Sequence, residues 1–304
     1  MRICNFGSLN LDCVYTVDHA VLPGETIASR SREEFCGGKG LNQSIALARA
    51  GAKVFHAGCI GPDGKRLYNL LKDCGVDVRF IQQSSEPTGH AIIQLDASGQ
   101  NSILLFGGAN RQITEDFVED VISAFQPGDM LVLQNEINGI PTIMEKANQR
   151  GMRIVFNPSP LDAGVNSYPL DTVDWFILNE IEGKELTGKT SPMEILKRLR
   201  RNYPRAGVLL TLGKYGSLCA MGARIYTQEI FKMPVRDTTA AGDTFLGYFV
   251  ASLDRLGPEE ALRLASAAAA LAVSVKGAAN SIPKLEDAEQ TVNCQNRYKV
   301  SNRL

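Results

Sequence analysis

Several kinds of segment are missing from this chain of 304 residues, and each absence narrows what it can be. Basic residues are not in excess: 32 Lys and Arg stand against 33 Asp and Glu, and no long basic stripe is present. Nucleic acid and anionic membranes are therefore poor candidate partners. The longest apolar run, at 261–275, is rich in alanine and is interrupted by Arg263, Ser266 and Ser274. Such a run favours a packed helix over a membrane span.

Cysteine pairs are also missing. The seven cysteines are widely spaced, their number is odd, and no two form a C-x-x-C pair. This pattern indicates reduced thiols rather than disulfides or zinc ligands. The first residues are too polar for a signal peptide. We therefore expect a cytoplasmic protein, and its 44% hydrophobic residues are enough for a normal core.

Strand-like and helix-like patterns alternate along most of the chain. The predicted strands lie at 2–6, 54–60, 78–81, 130–133, 154–156, 175–178 and 208–212, and the predicted helices at 41–50, 65–74, 114–125, 142–150, 193–201, 244–256 and 259–276. Alternating units predict a mostly parallel central sheet with helices on both faces, a three-layer α/β/α fold. Two exposed strand pairs, at about 11–36 and 88–107, interrupt the alternation. They predict a small β-sheet lid built from two insertions, within a single α/β domain at 1–304.

The stretch from Asp237 to Phe245 is the strongest local signal for chemistry. The small residues Ala240, Ala241 and Gly242 let the backbone approach a ligand, and the helix that follows begins with unpaired N–H groups. Such a helix start can hold an anion. Asp243 beside a bound anion makes sense as a proton acceptor for a nucleophile that attacks a phosphoryl group. The alternative is that Asp243 only caps the helix.

Polar residues at the ends of predicted strands extend this site, because ligands of open α/β sheets bind at the carboxyl ends of the strands. Residues of this kind are Asn10, Asp12, Glu136, Asn157, Asn179, Gly213 and Asp243. Each one alone is more often a turn or cap residue. Together they outline one crevice.

A phosphate-loop pattern, G-x-x-x-x-G-K-[ST], occurs at 183–190. In a true phosphate loop the Lys and Thr lie in the first turn of the following helix. Here residues 191–194 (Ser-Pro-Met-Glu) predict a capping box that starts the helix later, so Lys189 and Thr190 lie outside it. We therefore reject a phosphate-loop NTPase.

Three motifs occur in a family-specific order: residues 37–43 (Gly-Gly-Lys-Gly-Leu-Asn-Gln), 179–182 (Asn-Glu-Ile-Glu) and 237–245. Over nearly its full length the chain resembles the ribokinase-like (PfkB) family of sugar kinases. Residues 108–110, 133–136 and 157–160 are similar to the ribose-phosphorylating branch. The resemblance implies ATP-dependent transfer of the γ-phosphoryl group to the terminal hydroxymethyl oxygen of a small sugar, with D-ribose as the expected acceptor.

The resemblance also implies roles for particular residues. Asp243 is the general base, and the N–H groups of Ala241, Gly242 and Asp243 hold the transferring phosphoryl group. Many relatives carry glycine where this chain has Ala240. The alanine keeps the N–H that an anion hole needs, and we expect no strained conformation of the kind that glycine favours there. The implied sugar site consists of Asn10, Asp12, Gly38, Lys39, Asn42, Glu136 and Asp243.

Nucleotide and metal sites are implied in the same way. The nucleotide side is Asn179, Thr211, Gly213 and Gly216. Glu182 would help to place Mg²⁺ through water, with a solvated helix-face carboxylate as the alternative. An activating K⁺ site, partly of backbone carbonyls, corresponds to Asp237, Thr239, Ala272, Val275, Gly277 and Ser281.

The sequence leaves two questions open. Leu41 stands where ribose kinases usually have a smaller residue, so deoxyribose, a ketohexose or a nucleoside is an alternative acceptor. A sugar or nucleotide binder without catalysis is a further alternative.

The exposed strand edges of the lid also predict a homodimer in which a second copy covers them.

Overall fold

The central layer of the molecule is a nine-stranded sheet in the order β13-β12-β11-β10-β9-β8-β1-β4-β5. In the computed structural model, which describes the backbone of residues 1–301 and the side chains of residues 1–294, strands are numbered in chain order. Those of the large sheet are β1 Arg2–Phe6, β4 Lys53–Ile60, β5 Asp77–Gln83, β8 Met130–Gln134, β9 Arg153–Asn157, β10 Trp175–Asn179, β11 Gly207–Thr211, β12 Ser217–Met221 and β13 Arg224–Gln228. All neighbours from β5 to β11 are parallel, and β12 and β13 are antiparallel.

Each buried strand sends alternate side chains into two separate cores. In β8, Met130 and Val132 join one core, while Leu131 and Leu133 join the other. The helices that cover the sheet are α1 Lys39–Arg49, α2 Lys65–Asp73, α3 Glu115–Ser123, α4 Ile140–Gln149, α5 Glu180–Thr187, α6 Pro192–Asn202, α7 Ala241–Ala272 and α8 Leu285–Ser301. Residues of α1, α2, α7 and α8 belong to the first core, and residues of α3, α4 and α6 to the second. The expected three-layer fold is confirmed.

A second, four-stranded sheet has the order β3-β2-β6-β7. Its strands are β2 Asn10–Thr16, β3 Ser31–Gly37, β6 Gly89–Leu95 and β7 Asn101–Phe106. They come from the two insertions expected from the sequence. β2 and β6 pair in parallel at its centre, and β7 forms an edge on which every residue is exposed.

Helices α1 and α7 cross closely, and this crossing positions the site described below. A Cβ atom at Gly247 would overlap Ala46 and lie 2.8 Å from the backbone nitrogen of Leu47. Asp243 lies one turn before Gly247 on α7, and Asn42 and Gln43 lie one turn before Ala46 and Leu47 on α1. The glycine therefore lets the N-terminal turns of the two helices approach each other.

Some elements differ from the prediction. α7 contains both helices expected at 244–256 and 259–276, separated by a non-helical Gly257 (φ 76°) before Pro258, and it ends at Ala272. The sequence pattern missed α5, α8 and the β12–β13 hairpin. Ser191 is the N-cap of α6 and Pro192 its first residue, as expected, but the Ser191 side chain makes no capping hydrogen bond. The predicted capping box at 191–194 was therefore wrong; a capping box forms instead between Asn179 and Glu182 of α5.

The phosphate-loop pattern at 183–190 lies mostly within α5. Gly183 is a helical residue, Gly188 is the left-handed C-cap, and Lys189 and Thr190 lie between α5 and α6. A phosphate loop would instead connect a strand to a helix start. None of the helices in the described part of the chain is long and apolar enough to cross a bilayer.

Candidate active site

Asp243 lies in the first turn of α7 with only 8% of its surface exposed. Its carboxylate accepts hydrogen bonds from two side chains of α1, Asn42 Nδ2 to Oδ2 (3.1 Å) and Gln43 Nε2 to Oδ1 (2.9 Å). The N-cap of α7 is Ala240, which has no capping side chain. No backbone N–H of the described residues donates to the Asp243 carboxylate, so Asp243 does not cap α7.

Most of the backbone N–H groups in the first turn of α7, where Asp243 lies, are unpaired within the described part of the chain. The N–H of Ala241 donates to the Thr238 carbonyl oxygen at 3.3 Å. The N–H groups of Gly242 and Asp243 make no hydrogen bond to any residue that the structure describes. Together with the helix dipole, they can bind an anion.

Ala240 contradicts one expectation from the sequence. Its φ of 59° and ψ of 5° are left-handed, and it is the one non-glycine residue with positive φ in the described chain. An L-residue in this conformation is strained by about 1–2 kcal/mol. We expected no strained conformation of the kind that glycine favours here, and that expectation was wrong. The sharp turn from the 237–239 loop into α7 requires a left-handed residue at this point, whichever side chain it carries.

Glu136 follows β8 and is held against the start of α1. Its Oε2 accepts hydrogen bonds from the Ser8 hydroxyl and from the backbone N–H of Lys39, the latter at 3.0 Å. The Ser8 hydroxyl in turn accepts the N–H of Gly40 at 3.1 Å. Burial alone would lower the pKa of Lys39, but the charges of Asp243, Glu136 and Glu182 outweigh it and raise the pKa. The Lys39 ammonium thus stays charged among three carboxylates.

Asp12 lies on β2 of the small sheet, near Glu136. Burial, with repulsion from Glu136 as the smaller cause, raises the pKa of Asp12 to about 7. Its carboxylate lies directly over Gly37, where a Cβ atom would overlap both carboxylate oxygens. Gly37 therefore leaves the space that the Asp12 carboxylate occupies. The alternative of a simple turn residue is excluded, since Asp12 lies within β2.

Replacing Gly37 with alanine tests this packing. The new methyl group must push the Asp12 carboxylate away. Since the resemblance implies that Asp12 binds the sugar, we expect the KM for the sugar to rise about tenfold while the KM for ATP stays unchanged. In an Asp12→Ala background the added methyl group has nothing to displace, and the same substitution should have little further effect. Steady-state kinetics of the two single variants and the double variant measure this coupling. Additive effects on KM would contradict it.

Asn10, two residues before Asp12 on β2, is oriented by the buried Asn110. The Asn110 Oδ1 accepts the N–H of Leu9 at 3.0 Å, which turns its Nδ2 toward the Asn10 Oδ1 at 2.7 Å. The Asn10 amide oxygen is thus bound within the protein. Its Nδ2 is the group left for a ligand, so Asn10 offers a donor beside the acceptor Asp12.

The predicted nucleotide residues lie at the carboxyl ends of two adjacent strands. Asn179 ends β10 and Thr211 ends β11, and the two are paired in register. Gly213 and Gly216 follow β11 in a tight turn, with φ of 53° and 91°. The Glu182 carboxylate binds Asn179 twice, accepting the backbone N–H at 3.0 Å and Nδ2 at 2.9 Å. Glu182 is 8% exposed, so it is not a solvated helix-face carboxylate.

The predicted K⁺ residues lie in two loops that Asp237 joins. Its Oδ1 accepts the N–H of Thr239 and its Oδ2 accepts the N–H of Gly277, both at 2.9 Å. Partial burial would raise the pKa of Asp237, but these hydrogen bonds outweigh it and lower the pKa. Ala272 ends α7, and Val275 and Ser281 lie in the second loop.

Several residues of the site had no role assigned from the sequence. Ser8, Gln43, Asn110 and Gln134 hold its charged and polar groups in place, and all four are buried. All but Ser8 belong to the motifs quoted above. The one signal in the sequence that could have indicated these roles was their position beside proposed ligand residues in the same motifs. A buried amide that supports another side chain has no sequence pattern of its own.

A model of the pfkB family of carbohydrate kinases matches residues 1–285. The chain belongs to this family. The ribokinase of Haemophilus influenzae is 36% identical to it, and the match covers 92% of this chain and 95% of that relative. The ribokinase of Staphylococcus aureus is also 36% identical, and the match covers 95% of this chain and 99% of that relative. The structure of Arabidopsis thaliana ribokinase complexed with ribose and ATP matches with a TM-score of 0.85 at 31% identity, covering 96% of this chain and 98% of that chain. The expected enzyme class, an ATP-dependent sugar kinase, is confirmed.

Proposed function

We propose that this enzyme transfers the γ-phosphoryl group of ATP to the terminal hydroxymethyl oxygen of D-ribose, forming ribose 5-phosphate. The observation that carries the proposal is the start of α7. A buried Asp243 carboxylate, held by Asn42 and Gln43, lies beside the unpaired N–H groups of Gly242 and Asp243. The carboxylate removes the proton from the attacking hydroxyl. The N–H groups stabilise the charge of the phosphoryl group in transit.

The polar groups around Asp243 suit a sugar. The Oδ1 of Asn42 is buried and has no hydrogen-bond partner among the described residues. A buried acceptor without a partner is costly, and a sugar hydroxyl would satisfy it. Asp12 supplies a two-oxygen acceptor for neighbouring hydroxyls, and Asn10 supplies a donor. Gly38 and Lys39 at the start of α1 and Glu136 after β8 complete the proposed sugar site.

We also propose that Mg²⁺ binds with ATP at the Asn179–Glu182 pair. No group of three or more His, Cys, Asp and Glu side chains in the described residues could hold a metal ion. This fits Mg²⁺, which usually binds through one or two carboxylates, substrate phosphates and water. Both Glu182 oxygens keep acceptor capacity after binding Asn179, since a carboxylate has about four acceptor sites. When bound, the ion neutralises phosphate charge.

K⁺ activation is a further part of the proposal. Asp237 holds the 237–239 loop, which leads into α7, against the loop that follows α7. A cation bound by the carbonyl groups of both loops would stabilise the start of α7. Rates in sodium-free buffer should therefore rise when K⁺ is added, and equal rates with and without it would count against this site.

The small sheet is proposed to be both the lid of the sugar site and a dimer interface. Four consecutive residues of β7, from Ile103 to Phe106, are 47–67% exposed although all are large and apolar. A second copy would cover them together with the strand edge. Light scattering should give the mass of a dimer. A monomer at working concentration would contradict this part of the proposal.

The cytoplasm is the proposed compartment, because all seven cysteines are free, several of them buried inside the core. Fractionation of cells that express the protein would test this, and recovery outside the cytoplasm would contradict it.

The acceptor sugar is tested by an ATP-consumption assay across D-ribose, deoxyribose, ketohexoses and nucleosides. We expect the highest kcat/KM for ribose. A higher value for another sugar would reassign the acceptor but keep the kinase. No ATP consumption with any acceptor, although sugar and nucleotide bind, would favour the binder without catalysis. Nucleotide binding that is lost in Lys189→Ala would favour the phosphate-loop alternative instead.

A further inference from the structure

We infer that Gln43 is a positioning residue that orients the Asp243 carboxylate through a chain of side-chain amides, three of them buried. This chain, the amide relay, consists of Asn5, Gln134, Gln43 and Asn157. The inference rests on the proposed function, in which Asp243 is the base.

Gln43 is fully buried and is bound on every side by protein groups. Its Nε2 donates to the Asp243 Oδ1 at 2.9 Å and to the Asn157 Oδ1 at 3.2 Å. Its Oε1 accepts from the Gln134 Nε2 at 2.7 Å. The Gln43 amide group would have to lose these hydrogen bonds to flip by about 180° and exchange its nitrogen and oxygen.

Backbone carbonyl groups at both ends fix the direction of the relay, because a carbonyl oxygen can only accept. The Asn157 Nδ2 donates to the carbonyl of Ile177 at 2.9 Å, so the Asn157 Oδ1 faces Gln43. At the other end, the Asn5 Nδ2 donates to the carbonyl of Gly40 at 2.7 Å, so the Asn5 Oδ1 faces Gln134. Each end alone requires that the Nε2 of Gln43, and not its Oε1, points toward Asp243.

The two amides that bind Asp243 therefore differ in function. Asn42 has an unpaired Oδ1 and lies in the proposed sugar site, so it can respond to the sugar. Gln43 is held by the relay before any substrate binds. It keeps one carboxylate oxygen in a fixed orientation, which prepares the base for proton transfer. Loss of Gln43 should accordingly affect kcat and leave substrate binding nearly unchanged.

The test is Gln43→Met, which keeps an unbranched side chain of similar size but removes the amide. We expect kcat to fall about 10- to 100-fold, with the KM values for ribose and ATP within about threefold of the parent. A kcat within twofold of the parent, or a rise in KM alone, would overturn the inference.

A second variant, Gln134→Met, releases one end of the relay without touching Asp243. Gln43 then keeps only the Asn157 restraint, so we expect a smaller fall in kcat, about three- to tenfold. If Gln43→Met does not fold, Gln134→Met tests the inference in its place. An unchanged kcat of Gln134→Met would then overturn the inference.

Asn138→Leu is the matched control. Asn138 binds the backbone of Ile113 through both of its amide atoms, at 3.0 and 2.8 Å, and contacts no member of the relay. Its loss should lower thermal stability but leave kcat per folded enzyme within twofold. A comparable fall in kcat for this control would assign the Gln43 effect to general loosening and overturn the inference. Failure of the parent to phosphorylate ribose would instead overturn the proposed function.

Discussion

Replacement of Asp243 by asparagine is expected to lower kcat by about 10³-fold, within the range for loss of a general base. The amide has nearly the same shape but cannot take the proton from the sugar hydroxyl. The carboxylate is held by two donors on α1 and is 8% exposed, so water cannot easily replace it as the base. The N–H groups of Gly242 and residue 243 remain in place and should preserve part of the catalysis.

Binding should survive in this variant. An asparagine side chain can accept from Gln43 with its oxygen, and Asn42 can turn its unpaired Oδ1 toward the new amide. We therefore expect dissociation constants for ribose and ATP, measured by calorimetry, to stay within about threefold of the parent. Asp254→Asn is the matched control, because Asp254 lies on α7 and binds the surface residue Arg153. If Asp243→Asn turns over at more than a tenth of the parent rate, the assignment of the base is wrong.

The second large effect is expected at Asp12 and depends on pH. Burial and Glu136 raise the pKa of Asp12 to about 7, so the carboxyl is protonated and neutral below that pH. Only the ionised form can accept two sugar hydroxyls strongly. As pH rises through about 7, Asp12 loses its proton and kcat/KM for ribose should increase, with a slope of about tenfold per pH unit on the acidic side.

Two variants test the assignment of this pH dependence. Asp12→Asn should lower kcat/KM about 100-fold at pH 8, the effect of losing two charge-assisted hydrogen bonds, and should remove the acidic limb. Glu136→Gln removes the repulsion and should move the limb to lower pH, although only partly, since burial is the larger cause. A limb that persists unchanged in Asp12→Asn would belong to another group and contradict the account.

The sequence predicted most of the fold because the buried parallel strands carry dense apolar runs. It missed β12 and β13, although Gly222-Ala223 between them is a two-residue hairpin turn with Gly222 at φ 54°. That signal is weak because β13 is largely exposed and lacks a clear alternation.

The site could be predicted as far as single positions, but not as far as its hydrogen-bond network. Asp243 is recognisable from its loop, and Asp12 and Glu136 from their places after strands. The left-handed conformation of Ala240 and the relay through Gln43 and Gln134 arise from tertiary packing. No local pattern shows which way a buried amide points, since its partners lie about 90 to 200 residues away.

The central claim is that the terminal hydroxyl of ribose and the γ-phosphoryl group meet at Asp243. It is tested most directly by ³¹P NMR of the product formed from ATP and D-ribose. The account predicts one sugar phosphate whose phosphorus couples to the two protons on C5, formed by the parent enzyme and nearly absent with Asp243→Asn. Phosphate on another ribose oxygen, or only inorganic phosphate released from ATP, would contradict it.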